Sequence, residues 1–432
     1  MLQDTRSAGR RCGGLIAGLA LALGIAVANG AEDPTRNESQ LAALVAEARA
    51  NNPEIAAARN ELDAARQRVP AAGALDDPMM ELGVVNAPLA SHSLRREDMT
   101  MTMLGLGQRL PFPGKRGLRR AVAAADADSI NLAAREIANR IARDVRVAYE
   151  ELAFNEEAQR IVVSTRVALE QLAAIARSRY EVGQAAQNDV LDAHIELERL
   201  GAELLRLAGE NSALQSELQR LLGRSGPAPR IHAAAPQLAA GQEADPGDRP
   251  AIENRPQLQA LQALVERSTR SIDLAQRDYY PDFDVKLQYG QRDRALNGMA
   301  RDDMVSLTVG FNLPLWRKAR LQPQVAEARA MRRQAQSMLL SQQLETQAAL
   351  DSELALVRQW RATAELYQSA LLPQARASTA SAFAAYRVGR VDFLTLRQAQ
   401  LREYEISTDL AMAVANHNMA IAEIDLLIGS PT

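Results

Sequence analysis

The sequence predicts a mainly α protein with a membrane β-barrel portion, built from tandem-duplicated long helical hairpins and four strands per chain. Three observations carry this prediction. First, from about Arg116 to Tyr180 there is no proline and a single glycine, Gly117. At about 1.5 Å per residue, such a helix reaches far beyond the width of an ordinary globular domain. Second, the pattern is copied. Tyr386-Arg387-Val388-Gly389 lies 206 positions after Tyr180-Glu181-Val182-Gly183, and Leu313-Pro314 lies 203 positions after Leu110-Pro111. The second long arm is therefore three residues longer than the first. Third, Phe283, Val285 and Leu287, and then Val305, Leu307, Val309 and Phe311, alternate with polar residues at the period of a strand with one greasy and one wet face.

Each element follows in order. Arg6, Arg10 and Arg11, an apolar run from Leu15 to Val27 and the small residues Ala28-Asn29-Gly30 read as an export signal. That run is shorter than the roughly 20 residues a spanning helix needs. The only cysteine, Cys12, precedes the run, so the mature chain would hold no disulfide. An amphipathic helix pair follows, turning at Asn51-Asn52-Pro53 with Asn52 as a cap, and Asn254-Arg255-Pro256 is its counterpart. The strand pattern then covers about 78–112, and its copy about 281–314. The hairpin loops hold Arg95, Arg96, Glu97, Arg292, Asp293 and Arg294, a polarity suited to the outside of a cell. After the first tip, Leu197, Leu200, Leu204, Leu207, Asn211, Leu214, Leu218 and Leu221 form a coiled-coil seam. Pro373, inside the second ascending arm, is expected to kink it.

The expected division is a signal peptide over 1–30, a first repeat over 31–223 with its tip at 180–183, a linker over 224–252, and a second repeat over 253–432 with its tip at 386–389. Four strands cannot close a barrel, since closed membrane barrels start at about eight, and open edges are not tolerated in lipid. The barrel must be shared between chains.

The formal net charge of −3 offers no basic surface for nucleic acid. No nucleophile elbow, phosphate-cradling loop, paired-histidine spacing or dinucleotide fingerprint is present. Neither enzymatic activity nor a cofactor is expected.

The double repeat, Leu371-Leu372-Pro373-Gln374-Ala375 leading to Ala385-Tyr386-Arg387-Val388-Gly389, Tyr180-Glu181-Val182-Gly183 with Asp189-Val190-Leu191-Asp192-Ala193, and Pro111-Phe112-Pro113-Gly114-Lys115 together resemble the TolC-type outer-membrane efflux channels. The resemblance covers residues 38 to 429. It implies a homotrimer whose strands form a twelve-stranded barrel in the outer membrane and whose helices form an α-barrel through the periplasm. A periplasmic adaptor and an inner-membrane RND-type pump would be the partners. Pro-Phe-Pro-Gly-Lys after a methionine-rich strand looks like the heavy-metal branch of that family.

Glycine at 183 and 389 suits a positive-φ turn, and the resemblance makes Tyr180, Val182, Gly183, Tyr386, Val388 and Gly389 the adaptor-docking tips. Asp189 and Asp192 share one helix face and, with Asp392, are candidates for a carboxylate ring at the pore mouth, although a solvated acidic face is the plainer reading. The family often repeats such aspartates in its second half, where this chain has Thr395 and Gln398. Phe283, Val285, Leu287, Val305, Leu307, Val309 and Phe311 are expected to face lipid. Met99, Met101 and Met103 share one strand face, with Met79 and Met80 on the expected partner strand. Thioethers suit Cu(I), but gap filling explains methionine as well, and no metal site is assigned. His92, His194, His232 and His417 show no ligand spacing. His417 aligns with Asn211 at a seam position, where a polar residue fixes register.

Two other functions compete with a passive conduit. A periplasmic adaptor would carry a single hairpin, against the double repeat, and an exported coiled-coil protein without a pore would have no use for amphipathic strands.

Overall fold

A computed structural model describes residues 34–89, 93–239 and 251–430, with the side chains of 34–38 excepted. The signal segment, Cys12 and His92 lie outside the described residues. The helices α1 (Pro34–Asn51) and α2 (Pro53–Ala72) precede strands β1 (Met79–Val85) and β2 (Met101–Leu110). The hairpin of α3 (Lys115–Glu181) and α4 (Gln187–Leu221) completes the first repeat. The second repeat runs through α5 (Pro256–Arg277), β3 (Phe283–Gln291), β4 (Met304–Phe311), α6 (Gln322–Leu366), α7 (Leu372–Arg387) and α8 (Phe393–Leu427). Among the described residues no helix is long and apolar enough to cross a membrane.

At 67 residues, α3 is about 100 Å long, and most of the other helices pack on it, while α6 packs on α5 and α8. It packs against α2 and α5 near its start and against α4 and α8 further along. The seam toward α4 buries Val162, Leu169, Leu172, Leu200 and Leu207. One polar layer interrupts it, where Asn211 donates to Asn155 Oδ1 at 3.3 Å and Asn155 to the Leu207 carbonyl at 3.1 Å. His417, at the matching position of the second copy, is buried beside Asn418.

The short helices stand on the ends of the long ones, and glycine makes this possible. Gly223 and Gly429 end α4 and α8 at φ +68° and +69°. In each, the N–H of the glycine and of the next residue bond carbonyls of the last turn, Arg220 and Gln219 in one case, Leu426 and Asp425 in the other. A Cβ at Gly223 would collide with the Asn51 carbonyl, and one at Gly429 would lie 2.6 Å from the Asn254 carbonyl. Asn52 serves both helices at the first joint: its Oδ1 accepts from the Glu54 N–H at 2.8 Å, and its Nδ2 donates to the Leu221 carbonyl at 2.8 Å. The second joint has Arg255 at that position, bonded instead to Glu136 and Thr346.

The expected kink at Pro373 takes the form of a π-helical turn, Tyr367–Leu371, just ahead of it, and a second π turn, Arg317–Leu321, precedes Gln322-Pro323. A π turn takes in one residue more than an α turn. The two turns thus absorb two of the three residues by which the second arm is longer.

The segment between repeats is strapped onto the helices. Gln215 brackets Ile231, donating to its carbonyl at 2.6 Å and accepting its N–H at 3.1 Å. Asn418 donates to the Gln237 carbonyl and to Glu150 Oε2. Burial pushes the Glu150 carboxyl up to about 7, against the opposing effect of the Asn418 hydrogen bond.

The four strands form one antiparallel sheet in the order β1-β2-β3-β4, so the two hairpins meet at β2 and β3. Residues directly opposite one another share a face. Leu82, Leu104, Tyr289 and Val305 make one row, Met80, Leu106, Leu287 and Leu307 the next, followed by Val285 with Val309 and by Leu110, Phe283 and Phe311. The seven residues expected to face lipid lie on this one apolar face.

At the stacked joints, Gly223→Ala is expected to cost on the order of 1–3 kcal/mol, because left-handed backbone and a backbone clash coincide. Gly117→Ala, in the first turn of α3 and in open space, should be neutral or stabilising by up to about 1 kcal/mol. Thermal unfolding of the two variants side by side provides the check.

Candidate functional site

Three places concentrate specific side-chain chemistry: the paired tips, the sheet, and the junction between sheet and helices.

At the tips, Gly183 and Gly389 adopt φ +74° and +76°. The same pair of closing hydrogen bonds ends both helices: Gly183 N–H to Tyr180 and Gln184 N–H to Arg179, Gly389 N–H to Tyr386 and Arg390 N–H to Ala385. Arg179 fastens one tip to the other. Its Nη1 donates to the Tyr386 carbonyl at 2.6 Å, and its guanidinium stacks 4.9 Å from the Tyr386 ring. That ring in turn meets Phe393 edge-on at 6.0 Å. Tyr386 is only 2% exposed, so it belongs to the packing between the tips and not, as the sequence leads one to expect, to an outer docking surface. Burial holds its phenol above the ordinary value. Its counterpart Tyr180 is 43% exposed, and Val182 and Val388 are 66% and 68% exposed.

The three candidate carboxylates have different settings. Asp392 caps α8, accepting the Thr395 N–H at 2.9 Å, and this bond lowers its pKa. Asp192 accepts from Asn188 at 3.3 Å and lies 3.9 Å from Arg397. Asp189 lines a cavity of about 600 Å³ between the tips, together with Arg179, Arg390 and Asp392. The structure thus brings Asp189 and Asp392 to one cavity and leaves Asp192 outside its lining.

On the sheet, Glu81 of β1 and Lys286 of β3 pair at 2.6 Å across β2. The bridge passes over Gly105 and Gly107, where side chains would crowd it. This is the wet face, shared by Asp284, Gln288, Ser306 and Thr308. Above it, Arg301 ties the two hairpin loops, pairing with Asp98 at 2.5 Å.

At the junction, Lys115 Nζ is buried against Asp282 Oδ1 at 2.8 Å, Asp278 Oδ1 at 3.2 Å and the Tyr280 carbonyl at 3.2 Å, its side chain 3% exposed. The Phe112 N–H donates to the same Asp282 oxygen at 2.9 Å, and the Phe112 ring stacks on Tyr280 at 4.6 Å. Burial alone would raise the Asp282 carboxyl, but the bonds from Lys115 and Phe112 outweigh it and hold the group below its ordinary value. Lys115 and Arg179 escape sequence reading because their partners lie more than 160 positions away. For Lys115, its place in Pro-Phe-Pro-Gly-Lys facing the Asp278 and Asp282 pair was the available signal. The motif clamps sheet to helix. Among the described residues, no three His, Cys, Asp or Glu side chains are grouped as a metal site.

A sheet with one apolar face and two open edges, set on two long helical hairpins, defines the class of outer-membrane channel proteins. The model of the outer membrane efflux protein family matches residues 44–224 and 249–430, and the chain belongs to that family. It is an outer-membrane channel component of a tripartite efflux system, in a family of passive channels. No curated protein matches the chain. Among solved structures, it is similar in fold to the outer membrane protein VceC from Vibrio cholerae, with TM-score 0.76, 18% identity and 91% and 97% of the two chains covered. It is similar also to CusC, described for folding and transmembrane channel formation, with TM-score 0.75, 16% identity and coverage of 90% and 92%. The open state of the MtrE outer membrane channel of Neisseria gonorrhoeae gives TM-score 0.73 and 14% identity, with 90% and 88% covered. The adaptor alternative is not favoured.

Lys115→Met is expected to cost about 3 kcal/mol, because it leaves the partly buried Asp282 with only the more exposed Arg109, 3.8 Å away, as a cation. Since the Asp282 pKa is lowered on folding, its stabilisation is present above the ordinary carboxylate range and is lost as pH falls through the lowered value. The stability gap between wild type and variant should therefore close in acid. Denaturant unfolding at neutral and acidic pH measures both.

Proposed function

We propose that three copies assemble into the working channel and that its helical tips receive a periplasmic adaptor linked to an RND-type pump. The observation that carries this reading is the sheet with unpaired edges at β1 and β4 and an exposed apolar face. In lipid those edges must pair. Two copies would give eight strands, a barrel whose interior side chains fill. Three give twelve, which leaves a lumen for solute. The outer helices support the same closure, for α4 exposes Leu191, Ile195 and Leu205 at one flank and α6 exposes Leu340 and Leu344 at the other.

The adaptor surface is assigned to the exposed part of the tips, Tyr180, Val182 and Val388, with Gly183 and Gly389 setting the turns. Three copies of Asp189 and Asp392 would line the inner mouth and favour cations there. Asp192 contributes less, being near Arg397.

Two experiments test the proposal. Leu307→Arg or Val309→Arg, on the apolar face, should prevent assembly of a trimer in the outer membrane, at roughly 2–4 kcal/mol per buried charge, whereas Thr308→Arg on the wet face should assemble. Equal trimer yield from both faces, by sizing the detergent-extracted protein, would contradict the barrel. Val182→Asp together with Val388→Asp should leave trimer yield unchanged and abolish export in cells carrying the matching pump. Normal export would move the docking surface elsewhere.

A further inference from the structure

Within the chain, the lead-in to β3 is clamped by the transition from β2 to α3. Lys115 Nζ pairs with Asp282 Oδ1 at 2.8 Å, the Phe112 N–H donates to the same oxygen, and the Phe112 ring stacks on Tyr280. Strand β2 belongs to the first repeat and β3 to the second. The chain therefore holds one complete contact between the outgoing side of a repeat and the incoming side of the repeat beside it. It also carries the two halves of a second such contact, left apart at opposite edges of the sheet: β4 with its transition to α6, and the lead-in to β1.

The duplication gives each half its counterparts. Leu110-Pro111 and Leu313-Pro314 set β4 203 positions after β2, which makes Leu315 the counterpart of Phe112 and Lys318 that of Lys115. The hairpin registers fix the other side. Met79 stands opposite Gly107, and Gly310, the counterpart of Gly107, stands opposite Asp284. Met79 therefore corresponds to Asp284, Asp77 to Asp282 and Leu75 to Tyr280. Every member of the clamp has a matching copy: a lysine and an aspartate for the ion pair, and two leucines for the stacked rings. All four are exposed, Leu75 by 39% and Leu315 by 73%, and among the described residues neither Asp77 nor Lys318 has an ion pair. The helices leave the same gap, for α3 packs on both α2 and α5, whereas α6 packs on α5 alone of the two.

We propose that a second copy of this chain completes the clamp: Lys318 of one copy pairs with Asp77 of the next, Leu315 covers Leu75, and β4 pairs with β1 in the register that β2 keeps with β3. The proposal rests on the shared barrel described above and specifies its seam. Phe311 then stands opposite Met80, Val309 opposite Leu82 and Leu307 opposite Val84, which carries the apolar rows across from copy to copy. The slant of the strands supports this register independently. Met79 leads through Gly107, Lys286 and Thr308 to Gly83 of the next copy, four residues further along β1 after four strands. At about 3.4 Å per residue and about 4.8 Å between strands, that advance tilts the strands by about 35°, within the roughly 35–45° of membrane barrels. A slip of two residues at the seam would give about 20° or about 47°.

The test is cysteine cross-linking and charge exchange in the full chain, extracted from membranes in detergent and sized. In a Cys12→Ser background, Thr308→Cys with Gly83→Cys should link copies into covalent trimers on oxidation. Within one chain β1 and β4 are three strand spacings apart, about 14 Å, beyond the reach of a disulfide. Thr308→Cys with Glu81→Cys or with Val85→Cys, two residues to either side, should link at least about tenfold less. Lys318→Asp and Asp77→Lys should each lower trimer yield at least about tenfold, the two together should restore it, and Arg317→Asp should assemble as wild type. Stronger linking at Glu81 or Val85, no rescue by the double exchange, or equal loss from Arg317→Asp would each overturn the clamp. Normal trimer yield from Lys318→Asp, with loss of binding to anionic phospholipid vesicles, would assign the lysine to the membrane surface and overturn it as well. The barrel reading fails separately: a monomeric wild type removes barrel and clamp together, whereas a wild-type trimer indifferent to these substitutions removes the clamp alone.

Discussion

Everything else in this chain depends on the requirement that a sheet exposed to lipid have no unpaired edge. Four strands leave two rows of unbonded N–H and C=O groups, at β1 and β4, and each such group costs several kcal/mol in hydrocarbon. The chain cannot meet that demand alone. Its apolar rows, from Leu82 to Val305 and from Leu110 to Phe311, are stable only in a closed assembly, and closure of the strands fixes the curvature at which the helices below must also meet.

Sheet and helices obey different periodicities, and the transition between them is where specific bonding is concentrated. Strands pair sideways at about 4.8 Å, whereas helices pack at 8–10 Å, so the wall must widen its spacing within a few residues. Lys115 binds three acceptors from the lead-in to β3 at this point, and the Asp282 N–H bonds Asn312 across to the end of β4. Both β–α transitions of the chain are thereby tied to one short segment, 278–282. The second repeat has no equivalent buried lysine, since Trp316, Arg317 and Lys318 are exposed.

Features with a local cause were legible in the sequence. Glycine at a helix end, alternation in a strand and an asparagine before proline each act within a few residues, and the tips, strands and Asn52 cap lie where these signals put them. The π turns were foreshadowed by Pro373 and by the unequal arm lengths, but their form was not. What could not be read depends on pairs far apart in the chain: Lys115 with Asp282, Arg179 with Tyr386, Asn418 with the strap. The burial of Tyr386 is the clearest case, because Tyr180 has an almost identical local sequence and is exposed. Strand register belongs to the same class. Alternation shows that a strand has two faces, but only the pairing fixes which residues stand opposite one another, as Leu104 does to Tyr289 and Leu287 to Leu307.

The two copies have diverged where an assembly would be sensitive to the difference. Both keep the glycine turns at their tips and joints, which backbone geometry alone demands. They differ in the surroundings: Tyr180 is exposed where Tyr386 is locked under Arg179, and Asp189 and Asp192 correspond to Thr395 and Gln398. Duplication by itself would give a three-chain tube six equivalent hairpins. In the proposed three-chain tube, divergence at the tips would reduce that sixfold mouth to a threefold one, the exposed, acidic hairpin alternating with the one whose Tyr386 lies under Arg179. A partner docking on the mouth as proposed would meet two distinct kinds of tip, joined within each chain by the contact of Arg179 with Tyr386.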